Sequence, residues 1–145
     1  VVESYEALKD LNIYLVTSGT PFVEIPAVNL GSLEYYDYLT LLKASSAVVT
    51  MSKFKEGWNM TAHEAMLLKT PVIGSGLGGM KELLTGGRQI VCQDFSLLKE
   101  KVENLLANPE TIKEMGGRGY SFAKDFTRER FAKDWINLIK KLCGY

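Results

Sequence analysis

The sequence predicts an α/β protein built on a three-layer, doubly wound, mostly parallel sheet, a Rossmann-like half, and three observations carry that prediction. Short apolar runs alternate with stretches of helical period along the chain, at the spacing of strand–helix units. The run at 47–51, Ala-Val-Val-Thr-Met, is nearly apolar throughout, as a strand covered on both faces is. Glycine and proline punctuate the joints, at Gly57, Pro71, Gly78-Gly79 and Pro109. A chain of 145 residues can bury a real hydrophobic core, and it is expected to form one domain over 1–145.

Taken in order, residues 1–9 read as a helix and 12–17 as a strand ending at Ser18-Gly19. Residues 22–25, between Pro21 and Pro26, fit a short edge strand, because proline is tolerated only at edges. Gly31-Ser32 opens the next helix with Ser32 as its cap, and Leu33, Tyr36, Leu39 and Leu42 supply the helical period. After the strand at 47–51 comes a short helix holding Glu64, which must stop before Pro71. Residues 71–75 form a strand, Gly78-Gly79 leads into a helix at 80–84, and 89–92 form a further strand. Asp94 or Ser96 caps a helix at 97–107, Asn108-Pro109 starts another with proline early in its first turn, and Thr127 caps the last, at 128–142. A doubly wound fold ordinarily starts with a strand that ends up central in the sheet. This chain opens in a helix instead, so it is expected to be a fragment lacking its first strand.

The totals exclude several functions. Lysine plus arginine equals aspartate plus glutamate at 17 each, so no overall field draws in nucleic acid. No apolar stretch reaches the ~20 residues of a membrane span. Cys92 and Cys143 lack metal-ligand spacing and read as buried or partly buried thiols in a reducing, cytoplasmic setting.

The chemistry concentrates in Glu56-Gly57-Trp58-Asn59-Met60-Thr61-Ala62-His63-Glu64. Ligands of open α/β sheets bind at the carboxyl ends of the strands, which is where this segment begins. Glu56 falls in the loop and Glu64 about one turn into the helix, with exposed N–H groups between them. Such an arrangement suits a ligand with hydroxyls at both ends and an anionic middle, the shape of a sugar nucleotide.

With these residues in hand, positions from about 46 to 126 resemble the retaining glycosyltransferases of GT-B architecture called family 4. The resemblance rests on an ordered set: Met51-Ser52, Glu56-Gly57-Trp58-Asn59, Glu64-Ala65-Met66, Pro71-Val72-Ile73, Gly78-Gly79-Met80-Lys81-Glu82, then Asn108-Pro109-Glu110 and Met115-Gly116. It implies the carboxyl-terminal, donor-binding domain of a two-domain hexosyltransferase, inactive without an amino-terminal acceptor-binding domain. By the same resemblance Glu56 is the candidate catalytic residue, contacting the transferred sugar, and Glu64 accepts hydrogen bonds from the ribose. Backbone N–H groups of Gly57, Trp58, Asn59 and Met60 approach the diphosphate and sugar, with Ser52, Gly78 and Gly79 at the same rim. The resemblance further implies a UDP- or GDP-sugar donor, no metal and no other cofactor, and a full-length enzyme open to peripheral membrane association. Asn59 departs from the family's second loop glycine. Asparagine tolerates left-handed backbone, so the turn is expected to survive, with the side chain narrowing the pocket.

Two other readings stay open: a sugar-nucleotide epimerase of the same architecture, and a noncatalytic α/β binding module. His63, the single histidine, is expected to pack, not to catalyse, and Trp58 to cover the core edge. Lys53 and Lys55 suit either phosphate contact or a solvated loop. Tyr35-Tyr36-Asp37-Tyr38 reads as an amphipathic helix face. Phe131, Trp135, Leu138 and Ile139 form an apolar stripe on the last helix, expected to meet the missing domain or to drive self-association.

Overall fold

A computed structural model describes residues 1–144 of the chain. Its elements run α1 (Val2–Leu8), β1 (Val16–Thr17), β2 (Val28–Asn29), α2 (Tyr35–Ala44), β3 (Val48–Thr50), α3 (Met60–Leu67), β4 (Val72–Gly74), α4 (Gly79–Gly86), β5 (Ile90–Val91), a 3-10 turn (Phe95–Leu97), α5 (Leu98–Leu106), α6 (Pro109–Ala123) and α7 (Arg128–Cys143). All strand pairs are parallel, and the α/β alternation is as the sequence predicts. The strands form two ladders, β1-β2 and β3-β4-β5.

The helices cover both faces of the sheet. Adjacent strand residues point to opposite faces, and Val72 and Ile73 of β4 are fully buried in two different clusters. Val72 joins Leu42, Ala65, Met66, Met80 and Leu83 under α2, α3 and α4. Ile73 joins Leu8, Leu98, Val102 and Leu105 under α1 and α5. Burying one such aliphatic side chain contributes about 1.5–3 kcal/mol, so β4, enclosed on both faces, is the anchor strand.

Elements start after Asp94, Asn108 and Thr127 as the sequence suggests, and a cap that was not foreseen forms at Asn59. Asn59, Asp94, Asn108 and Thr127 each accept a backbone N–H at the start of the element they precede. Ser32 does not cap. Helix α2 begins later, with Glu34 in the cap position and no side-chain cap bond. The expected strand at 12–17 shrinks to Val16–Thr17, and 22–25 is not a strand. Phe22 is 99% exposed and finds no apolar surface, while Val28–Asn29 pairs with β1 instead. Cys92 is buried as expected, but Cys143 is exposed at the end of α7, a helix with no buried residue. Among the described residues, no helix is long and apolar enough to cross a membrane.

One buried side chain ties the layers together. Gln89 accepts the Val72 N–H at 2.9 Å through Oε1, and its Nε2 donates to the carbonyls of Gly87 (2.6 Å) and Met115 (3.1 Å). Replacing it with leucine leaves the Val72 N–H and the Gly87 carbonyl without this partner in a closed space, while the Met115 carbonyl, inside α6, keeps its helical bond. Gln89→Leu should cost about 2–4 kcal/mol of unfolding free energy, read from the denaturant midpoint, because unpaired buried polar groups cost ~1–3 kcal/mol each. A change below ~1 kcal/mol would remove Gln89 as the tie.

Candidate functional site

The site lies where β3 and β4 deliver the chain to their carboxyl ends. The loop after β3 and the loop after β4 stay bound to each other beyond the strands, through a parallel bridge between Glu56 and Gly78. Gly79 N–H donates to the Glu56 carbonyl at 2.7 Å, and Glu56 N–H reaches the Leu77 carbonyl at 3.4 Å. The approach demands glycine. Gly78 sits at φ +68°, and a methyl group at Gly79 would collide with the Gly57 carbonyl oxygen. Gly79, a candidate at this rim, does not offer its N–H there, because the Glu56 carbonyl occupies it.

Asn59 closes the loop and opens α3. Its backbone is extended (φ −81°, ψ 100°), so the left-handed turn foreseen for this position does not form. The reason is the cap: Oδ1 accepts the Ala62 N–H at 2.8 Å, a geometry that requires non-helical, extended backbone at the cap residue. The same side chain donates through Nδ2 to Glu56 Oε2 at 2.6 Å. Among the described residues, no hydrogen bond within the chain takes the N–H groups of Gly57, Trp58, Asn59 or Met60. These donors stand free between the two acids.

Glu64 lies just over one turn into α3, half-buried, and its Oε1 accepts the Tyr35 hydroxyl at 3.3 Å. Tyr38, one turn further along α2, donates to Thr61 Oγ1 at 3.1 Å. Helix α2 is therefore a hydroxyl-bearing wall of the site. Sequence periodicity hid this, because it assigns a face to a helix and not a partner to a side chain.

Trp58 turns away from the free amides. Its indole Nε1 donates to His63 Nδ1 at 3.0 Å, and its ring packs on Phe126 at 5.0 Å between centroids. The indole can only donate, so His63 Nδ1 is the acceptor and Nε2 carries the proton that reaches the Ala123 carbonyl at 3.1 Å. His63 is buried and packs, as expected. Ser52 accepts the Phe54 N–H at 3.1 Å through Oγ, and its own N–H donates to buried Ser75 Oγ, also at 3.1 Å. Lys53 pairs with Glu3 at 2.5 Å on the surface. An apolar groove of about 550 Å³ runs beside the loop between Trp58, Met60, Phe126, Arg130, Trp135 and Leu138. The stripe of α7 that the sequence marks is exposed, Phe131 and Trp135 among it.

The charge of Glu64 raises Tyr35 above the usual tyrosine value, with desolvation and the shared hydrogen bond acting in the same direction. A raised value places the contact's contribution below the ordinary tyrosine range, and it is lost as pH rises through the raised value. Glu64→Gln should move the Tyr35 titration, followed by NMR of isotope-labelled tyrosine, down toward the ordinary value. An unmoved midpoint would exclude the Glu64 charge as its cause.

Comparison with known proteins finds similarity over most of the chain. The model of a family described as "Glycosyl transferase-like" matches residues 2–137. A trehalose synthase of Rubrobacter xylanophilus is 29% identical over 80% of this chain and 27% of its own length. A trehalose synthase of Pyrococcus horikoshii is 33% identical over 70% of this chain and 25% of its own length. The chain thus spans about a quarter of the length of these relatives. Among solved structures, AviGT4, described as a glycosyltransferase involved in avilamycin A biosynthesis, superposes with a TM-score of 0.64. That likeness covers 99% of this chain and 46% of the other at 20% identity, and it is evidence of a shared GT-B-type fold.

Proposed function

Because the chain belongs to the glycosyl transferase-like family, we propose that it binds the nucleoside diphosphate sugar donor of a retaining hexosyltransferase. The observation that carries the reading is the pairing of Glu56 and Glu64 at one strand rim with four unengaged N–H groups between them. Glu64, on the helix, takes the ribose hydroxyls. The free amides and the start of α3 take the diphosphate, since helix N-termini favour anions. Glu56, in the loop, takes hydroxyls of the transferred sugar. The leaving phosphate and the incoming acceptor share one face, so orientation and charge stabilisation supply most of the rate. Metal-independence is part of the proposal, and the phosphate charge is then met by N–H groups and basic side chains. Glycosyl transfer is favoured over epimerisation by the family's description, glycosyl transferase-like.

The acceptor side belongs to the remainder of a longer protein in this reading, and the sheet supports it. Along β1, the carbonyls of Leu15, just before the strand, and Thr17 accept from the Val28 and Leu30 N–H groups, which leaves Val16 facing the other way. Within β3, Val48 N–H and the Thr50 carbonyl face β4, which leaves Val49 facing away. Yet Leu15 and Val49 pack into one apolar cluster. A further parallel strand between β1 and β3 would join the two ladders. The Val16 and Val49 amides should then exchange slowly with solvent in the intact native protein, and fast exchange at both would rule that strand out.

Calorimetric titration tests the ligand directly. UDP, GDP or ADP should bind the folded protein, and Glu64→Ala should weaken the binding about tenfold, the cost of losing a hydrogen bond to a charged group. Absence of heat with all three from a folded sample would remove the ribose assignment.

A further inference from the structure

Resting on the donor-site reading above and going beyond it, we propose that Asn59 is the positioning residue of Glu56 and sets how the site reads the transferred sugar. The assignment of its amide is fixed by its neighbours. The Ala62 N–H can only donate, so it must meet Oδ1, and the Glu56 carboxylate accepts from Nδ2. The cap on α3 therefore dictates the plane of the amide, and the amide dictates where the carboxylate of Glu56 lies. The main chain of Glu56 is separately held by the Gly78–Gly79 segment, so backbone and carboxylate are fixed from two sides.

The consequence is chemical. Nδ2 spends one of its two hydrogens on Glu56 Oε2, and among the described residues Oε1 has no partner within the chain. A hydrogen-bond acceptor, Oε1, and a donor, the second Nδ2 hydrogen, are then both left unspent on the two joined side chains. A hydroxyl can satisfy both at once, as can two neighbouring hydroxyls of a pyranose. A glutamate held in this way has lost its rotamer freedom before the ligand arrives, which removes that cost from binding. A glycine at position 59 offers neither the donor nor the orientation.

Two substitutions separate this role from capping. Asn59→Asp keeps an oxygen for the Ala62 N–H but turns the donor toward Glu56 into a second carboxylate oxygen. Asn59→Ser also keeps a capping oxygen, without added charge, and is too short to reach Glu56. In the intact native protein, affinity is measured by calorimetry for UDP, GDP and ADP and for their glucose and mannose conjugates. Both variants should melt close to the wild type. Asn59→Asp sets a second carboxylate beside Glu56 and the free amides, and should bind the bare diphosphate more weakly by charge alone. The comparison with bare diphosphate is therefore made on Asn59→Ser, which keeps the position-59 N–H, adds no charge and should bind it as the wild type does. The ratio of sugar-conjugate to diphosphate affinity should fall about tenfold, as loss of one charge-assisted contact would produce. An unchanged ratio in both variants overturns the proposal, as does an equal loss for diphosphate and conjugate in Asn59→Ser. If the wild type binds none of these ligands, the donor reading itself falls. If it binds and the ratio holds, only the role of Asn59 falls.

Discussion

Everything at the site depends on how closely the main chain of Glu56 approaches Gly78 and Gly79. Parallel strands normally part at their carboxyl ends, and the loops that follow are free to diverge. Here the loops continue the pairing of β3 and β4 for one more bridge, with Gly79 N–H on the Glu56 carbonyl at 2.7 Å. That contact exists only because two glycines remove the side chains that would stand in the gap. It turns an exposed loop into an extension of the sheet and gives Glu56 a fixed origin. The cost is one N–H, that of Gly79, withdrawn from ligand binding.

Helix α3 carries the consequence outward. Its first residues receive the Asn59 cap, its next turn presents Glu64 to α2, and its opposite side buries Ala62, Ala65 and Met66 completely. His63 ties the same helix to the end of α6 and to Trp58. A short helix of 8 residues would be marginal alone. Packed on all sides but one, it becomes the rigid element on which both ends of the site are mounted.

The strand–loop–helix–strand unit from β3 to β4 was legible because its signals are local and mutually consistent: an apolar run, a loop glycine, a short helix and Pro71. The positions of Glu56 and Glu64 followed from it. The region before β3 was less legible. Residues 12–17 have strand-like composition, yet only Val16–Thr17 pairs, and Val28–Asn29 rather than 22–25 is the partner. Pairing is a property of what lies alongside, and short runs flanked by proline carry little of that information. Asn59 was misjudged for a related reason. Comparison with glycine suggested a left-handed turn, whereas its side chain had a stronger use as a cap, and the cap set the backbone. The link from Tyr35 to Glu64 crosses 29 positions between two helices, and no periodicity reports a contact of that kind.

The two acids, so similar in sequence, are therefore held by different means. Glu56 is tied to its own loop, whose shape depends on the glycine contact and the cap. Glu64 stands on a packed helix and is tied to a neighbouring one, through a hydroxyl that any ligand hydroxyl could replace at Oε1. A ligand arriving at Glu64 exchanges one neutral donor for another, with little rearrangement of the backbone. A ligand arriving at Glu56 must fit a carboxylate whose direction is already set. On the proposed donor reading, fit is then permissive at one end and exacting at the other, the division of a site that grips a common handle and discriminates the group attached to it.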